Sequence, residues 1–384
     1  MDAPTTPRIR QCNAIADVDP GQWNALVDAD YPFLRHEFLH ALETTGCVSA
    51  DNGWQPAHVL VENGTALIAA APVYRKRHSY GEFVFDFAWA RAYQQFGLAY
   101  YPKLVCAVPF TPVVGPRLLA VDAKARAALA AALEILPSDT GASSLHLLFA
   151  CQQDRRTLAQ CGALLRRDCH YLWHNRGYTD FDEFLAALPS RRRKEIRRER
   201  RRIAEQGIQV RVLAPAQISP ELMRTLYAFY ARTYLVRGQY PYLSPDFFQT
   251  LHAAMPRQLR WFVAWAGDEP VAAAFMLVGE DSLYGRHWGC AQDRHSLHFE
   301  TCYYAGIEYC IEHGLRRFDA GAQGEHKLRR GFEPVATWSA HVLTEPRLRA
   351  AVAAFVQREG ELVADYHAQQ RRACAFPNIE QPTS

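Results

Sequence analysis

Apolar residues recur along this chain with two different periods. Runs that are apolar continuously or at every second position predict β-strands, whereas apolar residues three and four positions apart predict helices. In the first half this pattern predicts helices in PGQWNALVDAD, FLRHEFLHALETTG and AKARAALAAALEIL, and a strand in SSLHLLFA. Strands are also predicted on both sides of Asn63-Gly64, a dipeptide typical of tight hairpin turns. Helices and strands mixed in this way indicate an α/β fold with a mixed sheet.

The second half repeats this order of elements. It has a strand in IQVRVLA, helices in ELMRTLYAFYARTYLVRG and PDFFQTLHAAM, a hairpin in LRWFVAWAGDEPVAAAFMLVG and a strand in DSLYGRHWGC. A helix over residues 297–314 and a strand in RRFDAG follow. Residues at matching positions also recur in the two halves: Ala150 with Ala320, Gln153 with Gln323, and Leu158 with Leu328.

Such a repeat suggests two copies of one α/β module. We therefore expect an N-terminal module over residues 1–178, an arginine-rich helical connector over residues 179–206, and a C-terminal module over residues 207–384.

The composition is that of a globular protein, with 49% hydrophobic and 22% charged residues in a chain of 384. No apolar run approaches the roughly 18 residues that a membrane span needs. The N-terminal segment lacks the apolar core of a signal peptide. The ten cysteines include no CxxC pair and no spacing that suits zinc. These observations predict reduced thiols and a cytoplasmic location.

Positive charge is concentrated in SRRRKEIRRERRR, residues 190–202. This run holds nine Lys/Arg and two Glu, whereas the whole chain has a net charge of only +3. The run predicts a helix, and Ile196 within it and Ile203 directly after it are one heptad apart. One interpretation is a solvated helix in which Glu195 and Glu199 offset the arginines. The excess of cations favours a second one, the binding of phosphate groups, for which the expected contacts are Arg192, Arg193, Arg197 and Arg198.

The motif HEFLH matches the zinc metalloprotease pattern HExxH. However, Leu34, Phe38 and Leu42 define the apolar side of the predicted helix, which puts His36 and His40 on the solvent side. No third ligand pattern follows, and a catalytic zinc needs a shielded site with a third ligand. We therefore predict no metal site here.

The richest chemistry lies in GAQGEHKLRRG, residues 321–331, which we call the glycine loop. Four hydrogen-bonding side chains occur here within five residues, and the glycines would let the backbone turn sharply or approach a ligand closely. The alternative is an ordinary polar surface loop. Glu300 adds to the first interpretation, because it projects into the apolar stripe of helix 297–314 and must be paired, protonated or open to a cleft. Arg286 or Lys327 would be its structural partner.

Several longer strings resemble one known family. They are HSYGEFVFDFAWARAY, YYPKLVCAVPFTPVVGPRLL, YGRHWGC, LHFETCYY and AGAQGEHKLRRGFEPVATWSAH. The chain resembles the FemAB-like "peptidoglycan biosynthesis/recognition" family, within the superfamily that includes the GCN5-related N-acetyltransferases (GNAT). The resemblance implies two tandem GNAT-like modules. The better-known Fem enzymes, which are distant relatives of this subfamily, transfer an amino acid from aminoacyl-tRNA onto an amine of a peptidoglycan precursor.

One departure concerns the donor. Members that use acetyl-CoA carry an RxxGxG/A-type loop after the fourth strand, and its backbone amides hold the pyrophosphate. Here that place reads WGCAQDRHSLHF, which does not match the RxxGxG/A pattern. The departure disfavours acetyl-CoA and leaves aminoacyl-tRNA or another phosphate-bearing acyl carrier as the donor.

The sequence thus predicts an acyl- or aminoacyl-transferase that acts on an amine, with no tightly bound cofactor. An acyl-CoA-dependent N-acetyltransferase and a non-catalytic protein that binds cell-wall fragments or RNA are the alternatives. Transfer requires a base, an oxyanion donor and a clamp for the substrates. The candidate bases are Glu325, His326, Glu300 and His287. The candidate substrate-binding residues are Gln323 as oxyanion donor, Lys327 and Arg330 as an anion clamp, and Arg286 and Tyr303.

Overall fold

A computed structural model describes residues 7–322 and 324–376, and its contacts divide the chain into two compact units. The first unit contains the residues up to Asp168 together with Ala336–Val363. The second contains Cys169–Val335 and the residues from Ala364 onward. The chain therefore passes from one unit to the other within the strands Leu164–His174 and Glu333–Leu343 and within the helix Pro346–Ala373.

This division differs from the predicted domains in two places. Residues 336–363 belong to the first unit although they follow the whole of the second module in sequence. The arginine-rich helix, Ser190–Glu205, belongs to the second unit and not to a separate connector. It does so because Ile196 and Ile203 are buried in two apolar cores of that unit.

The first unit contains two sets of paired strands. One is antiparallel, with Arg8–Cys12, His58–Asn63, Ala66–Ala71 and Leu119–Ala120 in that order. The other runs from Trp54–Pro56 through Val73–Lys76, Lys103–Cys106 and Ser144–Leu147 to the end of Glu333–Leu343. Its helices are Pro20–Asn24, His36–Thr44, Phe87–Gln95, Ala123–Thr140 and Gln152–Gln160. The Asn63-Gly64 hairpin and the alanine-rich helix are confirmed.

The second unit has one sheet in the order Ile208–Leu213, Leu259–Ala266, Glu269–Val278, Ser282–Cys290, Arg317–Asp319 and Leu164–His174. Its helices are Phe181–Ala187, Ser190–Glu205, Pro220–Leu235 and Pro245–Ala254, and a helical segment over residues 297–312. Within that segment Glu300–Tyr304 forms a π-helical turn. The predicted α/β fold with mixed sheets is confirmed.

One pair of strands fixes where the glycine loop starts. Ser282–Cys290 and Arg317–Asp319 are parallel and pair over only three residues, up to Tyr284 and Asp319. Beyond that point the first strand continues to Cys290, whereas the chain after Asp319 enters the glycine loop. The loop therefore begins where two parallel strands separate.

The HEFLH motif forms the start of a helix, as expected, but the predicted exposure of His36 is wrong. His36 is buried, and its Nε2 lies 2.9 Å from the carbonyl oxygen of Ile15. Its position at the first residue of His36–Thr44 turns it toward the neighbouring turn, Ile15–Asp17. Glu37 is paired with Arg35 at 2.9 Å. None of the described helices is long and apolar enough to cross a membrane.

A buried charged group lies in the first unit, within a region for which the sequence indicated no chemistry. Lys103 is fully buried, and its ammonium donates to Ser79 Oγ at 2.8 Å, to Glu82 Oε2 at 2.7 Å and to Asp86. Burial raises the pKa of Glu82 to about 7. Burial by itself would lower the pKa of Lys103, but the two carboxylates outweigh it and raise that pKa, so Lys103 stays charged.

We expect Lys103→Met to lower the free energy of unfolding by about 3–5 kcal/mol, because it leaves two buried carboxylates without their cation. Lys124→Met removes the same charge from an exposed position in Ala123–Thr140 and should change stability by less than about 0.5 kcal/mol. Urea unfolding followed by tryptophan fluorescence measures both variants. Equal effects of the two substitutions would show that the buried group does not stabilise the unit.

Candidate active site

The entry to the glycine loop is organised by three buried polar side chains around one backbone carbonyl. Asp319 Oδ1 accepts a hydrogen bond from the N–H of Gly321 at 2.9 Å. His170 Nε2 lies 2.8 Å from the carbonyl oxygen of Gly321 and 3.2 Å from Asp319 Oδ1. The ammonium of Lys327, which is 1% exposed, donates to the same carbonyl. Asp319, His170 and Lys327 therefore fix the backbone of Gly321 at the start of the glycine loop.

Burial brings the pKa of the Lys327 ammonium close to neutral pH. Burial lowers the pKa of Lys327 to about 8; nearby Asp319 opposes the shift, and Arg286 adds to it. Burial would raise the pKa of Asp319, but His170 and Lys327 outweigh it and lower that pKa. Lys327 is thus a buried ammonium that can stabilise developing negative charge.

Two of the loop's glycines are required by close contacts. Gly324 has φ +123°, and a Cβ there would lie 2.4 Å from the imidazole of His326. Gly331 has φ +86°, and a Cβ there would lie 2.8 Å from the ring of Phe184. Larger residues cannot adopt these positions without strain. The two glycines lie immediately before and after the short 3-10 helix Glu325–Arg330.

His326 is an exposed histidine in this segment. Its Nε2 lies 2.8 Å from the hydroxyl of Tyr303, and its ring lies 5.6 Å from that of Phe299. Partial burial lowers the pKa of His326, and the charges of Arg330 and Lys327 lower it further. The imidazole is therefore neutral near pH 7 and able to accept a proton.

The other predicted residues of the loop have different positions. Glu325 is exposed and accepts a hydrogen bond from the hydroxyl of Tyr366 at 2.7 Å. Gln323, the predicted oxyanion donor, lies outside the described residues. His298, which the sequence analysis overlooked, packs 6.3 Å from His326, and burial lowers its pKa to about 4. In the sequence His298 is one polar residue beside the apolar stripe of a predicted helix, and nothing in that pattern indicates a contact with His326.

Arg330, predicted as part of an anion clamp, is buried in an ion pair. It is 4% exposed and donates to Glu199 Oε1 at 2.7 Å and to the hydroxyl of Tyr304 at 2.9 Å. The same hydroxyl donates to Glu199 Oε2. Glu199, predicted to offset arginines on an exposed surface, is only 6% exposed. The pair therefore anchors the glycine loop to the arginine-rich helix. Because the guanidinium of Arg330 is already engaged with Glu199, this arrangement does not support its predicted role in an anion clamp.

Glu300 has a different partner from those expected. Arg200 donates to Glu300 Oε1 at 3.1 Å and to Glu308 at 2.9 and 3.3 Å. Glu300 is 7% exposed, and burial raises its pKa although Arg200 opposes the shift. Its second oxygen, Oε2, has no hydrogen-bond partner among the described residues. Glu300 lines an open cleft of about 520 Å³ together with Arg200 and Glu308, and we call it the carboxylate cleft.

His287 lies apart from the loop. Its ring contacts three aromatic rings at centroid distances of 4.9, 6.2 and 6.4 Å, those of Tyr230, Phe275 and Phe248. The next residue, Trp288, contacts His298. Because successive side chains of a strand point to opposite faces, His287 faces away from His298 and His326. Burial holds its pKa well below the ordinary value. Arg286 is the extra residue of a β-bulge between Gly285 and His287.

The arginine-rich helix forms one wall of a second cleft, of about 630 Å³. Its lining includes five cations and one carboxylate: Arg191, Arg192, Lys194, Arg198, Arg329 and Glu195. We call it the basic cleft. Two of the four predicted arginines line it. The other two have different partners: Arg193 donates to the carbonyl of Ala186, and Arg197 is paired with Asp182. Arg329, which the sequence analysis did not select, comes from the glycine loop.

Comparison with solved structures identifies the class of fold. The C-terminal domain (DUF2156) of a putative lysylphosphatidylglycerol synthetase from Agrobacterium fabrum is similar, with a TM-score of 0.56 and 12% identity over 89% of this chain and 97% of that domain. FemX has a TM-score of 0.53 and 11% identity over 88% of this chain and 98% of its own. At such identities the similarity shows the shared fold.

The sequence itself matches the FemAB-like family, described as peptidoglycan biosynthesis/recognition, over residues 14–378. The chain therefore belongs to this family, as the resemblance implied. No curated protein matches it by sequence. Family membership supports an acyl- or aminoacyl-transferase, and the candidate site is the glycine loop with the two clefts beside it.

We expect Glu199→Gln to lower the free energy of unfolding by about 3–5 kcal/mol, since Arg330 would remain buried without its counter-charge. Glu195→Gln on the same helix breaks only the partly exposed pair with Arg192 and should cost less than about 1 kcal/mol. Chemical unfolding of the two variants measures the difference. If they unfold alike, Arg330 does not anchor the loop.

Proposed function

We propose that this protein transfers an aminoacyl group from an aminoacyl-tRNA onto an amine, and that the acceptor is a peptidoglycan precursor. One observation carries the proposal. Arg329 and His326 belong to the same turn, and Arg329 lines the basic cleft. A residue that lines a phosphate-suited surface and a neutral base are thus only three positions apart in one short 3-10 helix.

The side chains of the loop suit this reaction. The amine nitrogen attacks the ester carbonyl, a C–N bond forms, and the C–O bond to the ribose breaks. His326 takes the proton that the nitrogen loses, while Tyr303 holds the imidazole through its 2.8 Å hydrogen bond. Lys327 stabilises the oxyanion as a buried positive charge. His326 then gives this proton to the departing ribose oxygen, which leaves as a hydroxyl and returns the imidazole to its neutral form.

Two features favour a polyanionic donor over acyl-CoA. Five cations and one carboxylate line the basic cleft, which suits several phosphates along a backbone. The segment between Cys290 and Leu297, AQDRHS, contains no glycine, so a glycine-rich pyrophosphate loop does not occur there. The same basic cleft would also suit an RNA-binding protein without turnover, and product formation separates the two functions.

We expect His326→Ala to lower the rate of transfer by about 10²–10⁴-fold, the range for loss of a general base. His313→Ala, at the end of the 297–312 helical segment, is the matched control and should retain the wild-type rate. Because the pKa of His326 is lowered, the wild-type rate should remain on its plateau below pH 6.5, the ordinary histidine value, before it falls. Transfer from labelled aminoacyl-tRNA to a peptidoglycan-precursor peptide measures both effects. Wild-type activity in His326→Ala would remove His326 as the base.

The basic cleft should control how binding of tRNA depends on salt. Replacing Arg198 and Arg329 together by Gln should reduce the slope of log affinity against log salt by about 1.4–1.8, since each lost phosphate contact contributes about 0.7–0.9. The control replaces Arg193 and Arg197 by Gln, which removes two charges from the same helix outside the cleft and should leave the slope nearly unchanged. Fluorescence anisotropy over a series of salt concentrations measures both. Equal slopes in both double variants would assign tRNA binding to another surface.

A further inference from the structure

A loop of the first unit, residues 79–86, is fixed by two buried lysines. The ammonium of Lys103 binds three side chains of this loop, and that of Lys76 donates to the carbonyl of Tyr80 at 3.1 Å. The loop nevertheless presents two rings to solvent, since Tyr80 is 63% and Phe85 is 57% exposed. Burying two cations is costly, and here that cost fixes a loop whose aromatic side chains are exposed.

The backbone of the same loop is also constrained. Phe83 has φ +62°, in the left-handed region that bulky residues rarely adopt. The guanidinium of Arg166 donates to the carbonyl of Phe85 at 2.8 Å. Backbone strain of this kind persists only where the surrounding structure holds it, and it is concentrated at functional sites. The exposed rings therefore belong to a surface of fixed shape.

These rings continue into a pocket of the same unit. Phe87 packs against both, with ring centroids 5.8 Å from Tyr80 and 6.1 Å from Phe85, and we call the three residues the aromatic platform. Phe87 also lines an open pocket of about 340 Å³. The rest of its lining is Ala90, Arg91, Gln94, Leu98, Tyr100 and Tyr101. The hydroxyl of Tyr101 lies 2.8 Å from Ser79 Oγ, which joins the pocket wall to the loop.

Two polar side chains of this pocket are available to a ligand. Arg91 and Gln94 lie three positions apart on the helix Phe87–Gln95, and both are exposed. Neither side chain has a hydrogen-bond or ion-pair partner among the residues that the structure describes. Together they offer several N–H donors and one amide acceptor. Aromatic walls beside a few convergent polar groups are typical of a site for a small molecule.

The charge of this surface is low. Residues 77–101 contain two arginines, Arg77 and Arg91, and two acidic residues, Glu82 and Asp86, which are both buried. The basic cleft, by contrast, is lined by five cations. A polyanion is therefore favoured at the basic cleft, whereas the aromatic pocket suits an uncharged ligand.

We infer that the aromatic platform and its pocket bind a saccharide, with a sugar ring against Phe87 and Tyr101 and the next ring along the chain over Tyr80. The C–H face of a pyranose is apolar and slightly positive, which suits the negative face of an aromatic ring. Sugar hydroxyl and N-acetyl oxygens accept hydrogen bonds from Arg91 and Gln94. The choice of an N-acetylated amino sugar rests on the proposed function, because peptidoglycan precursors carry such sugars.

A neutral disaccharide tests this site without any transfer reaction. Binding of N,N′-diacetylchitobiose to the whole chain is measured by ligand-detected NMR titration. We expect Phe87→Ala to weaken binding about five- to tenfold, because a stacking ring is lost. Phe96→Ala removes an exposed ring beside the same helix and outside the pocket, so this control should keep the wild-type affinity.

A second variant covers the case in which Phe87→Ala does not fold. Tyr80→Ala changes a side chain that is already exposed, and it should weaken binding to a similar extent. Absence of disaccharide binding to the wild type, or equal binding to the wild type and Tyr80→Ala, would overturn the inference. Tighter binding of hexauridylate than of the disaccharide, lost in the same variants, would make this a nucleic-acid surface and would overturn it as well.

The inference and the proposed function fail separately. Disaccharide binding that depends on the aromatic platform, in a protein that transfers nothing to a precursor peptide, would count against the proposed function and support the saccharide site. Transfer to the peptide without any disaccharide binding would support the proposed function and overturn the saccharide site.

Discussion

The buried ion pair between Arg330 and Glu199 is the constraint on which the arrangement of the second unit depends. The two residues are 131 positions apart, and both are almost completely buried. A buried charge is tolerated only when its partner is present, so the glycine loop and the arginine-rich helix must meet in this one register. Tyr304 completes the pair by bonding to both side chains. The positions of His326 and Arg329, which precede Arg330 in the same short helix, follow from it.

The arginine-rich helix has a separate role on each of its faces. Ile196, Glu199 and Ile203 recur three and four positions apart and are buried, so they fix the helix to the unit. The opposite face carries the cations of the basic cleft. In a helix that is only solvated, Glu199 would be exposed beside the arginines, whereas here it is buried. Burying that glutamate leaves the exposed cations with less compensation and strengthens the field at the cleft.

The first unit uses buried charge in another way. Lys76 and Lys103 lie directly opposite each other on neighbouring strands, and both are fully buried. Like charges in this position repel. Glu82 and Asp86 offset Lys103, whereas Lys76 lies 3.6 Å from the ring centroid of Trp54, and burial lowers its pKa to about 7. The same chain therefore stabilises one buried cation by pairing and partly neutralises the other.

The sequence by itself determined most of the elements, the mixed α/β class and the family, because apolar periodicity, turn dipeptides and long motifs are local properties of a chain. It also identified the glycine loop and the unusual carboxylate at Glu300. Tertiary structure decided which charges are engaged: Arg330 with Glu199, Glu300 with Arg200, and His287 among aromatic rings on the opposite face. These outcomes depend on burial and on partners that are distant in sequence, 131 positions for Arg330 and Glu199 and 100 for Glu300 and Arg200. Local spacing cannot specify them, because the cost of burying a charge is set by what surrounds it in the folded protein.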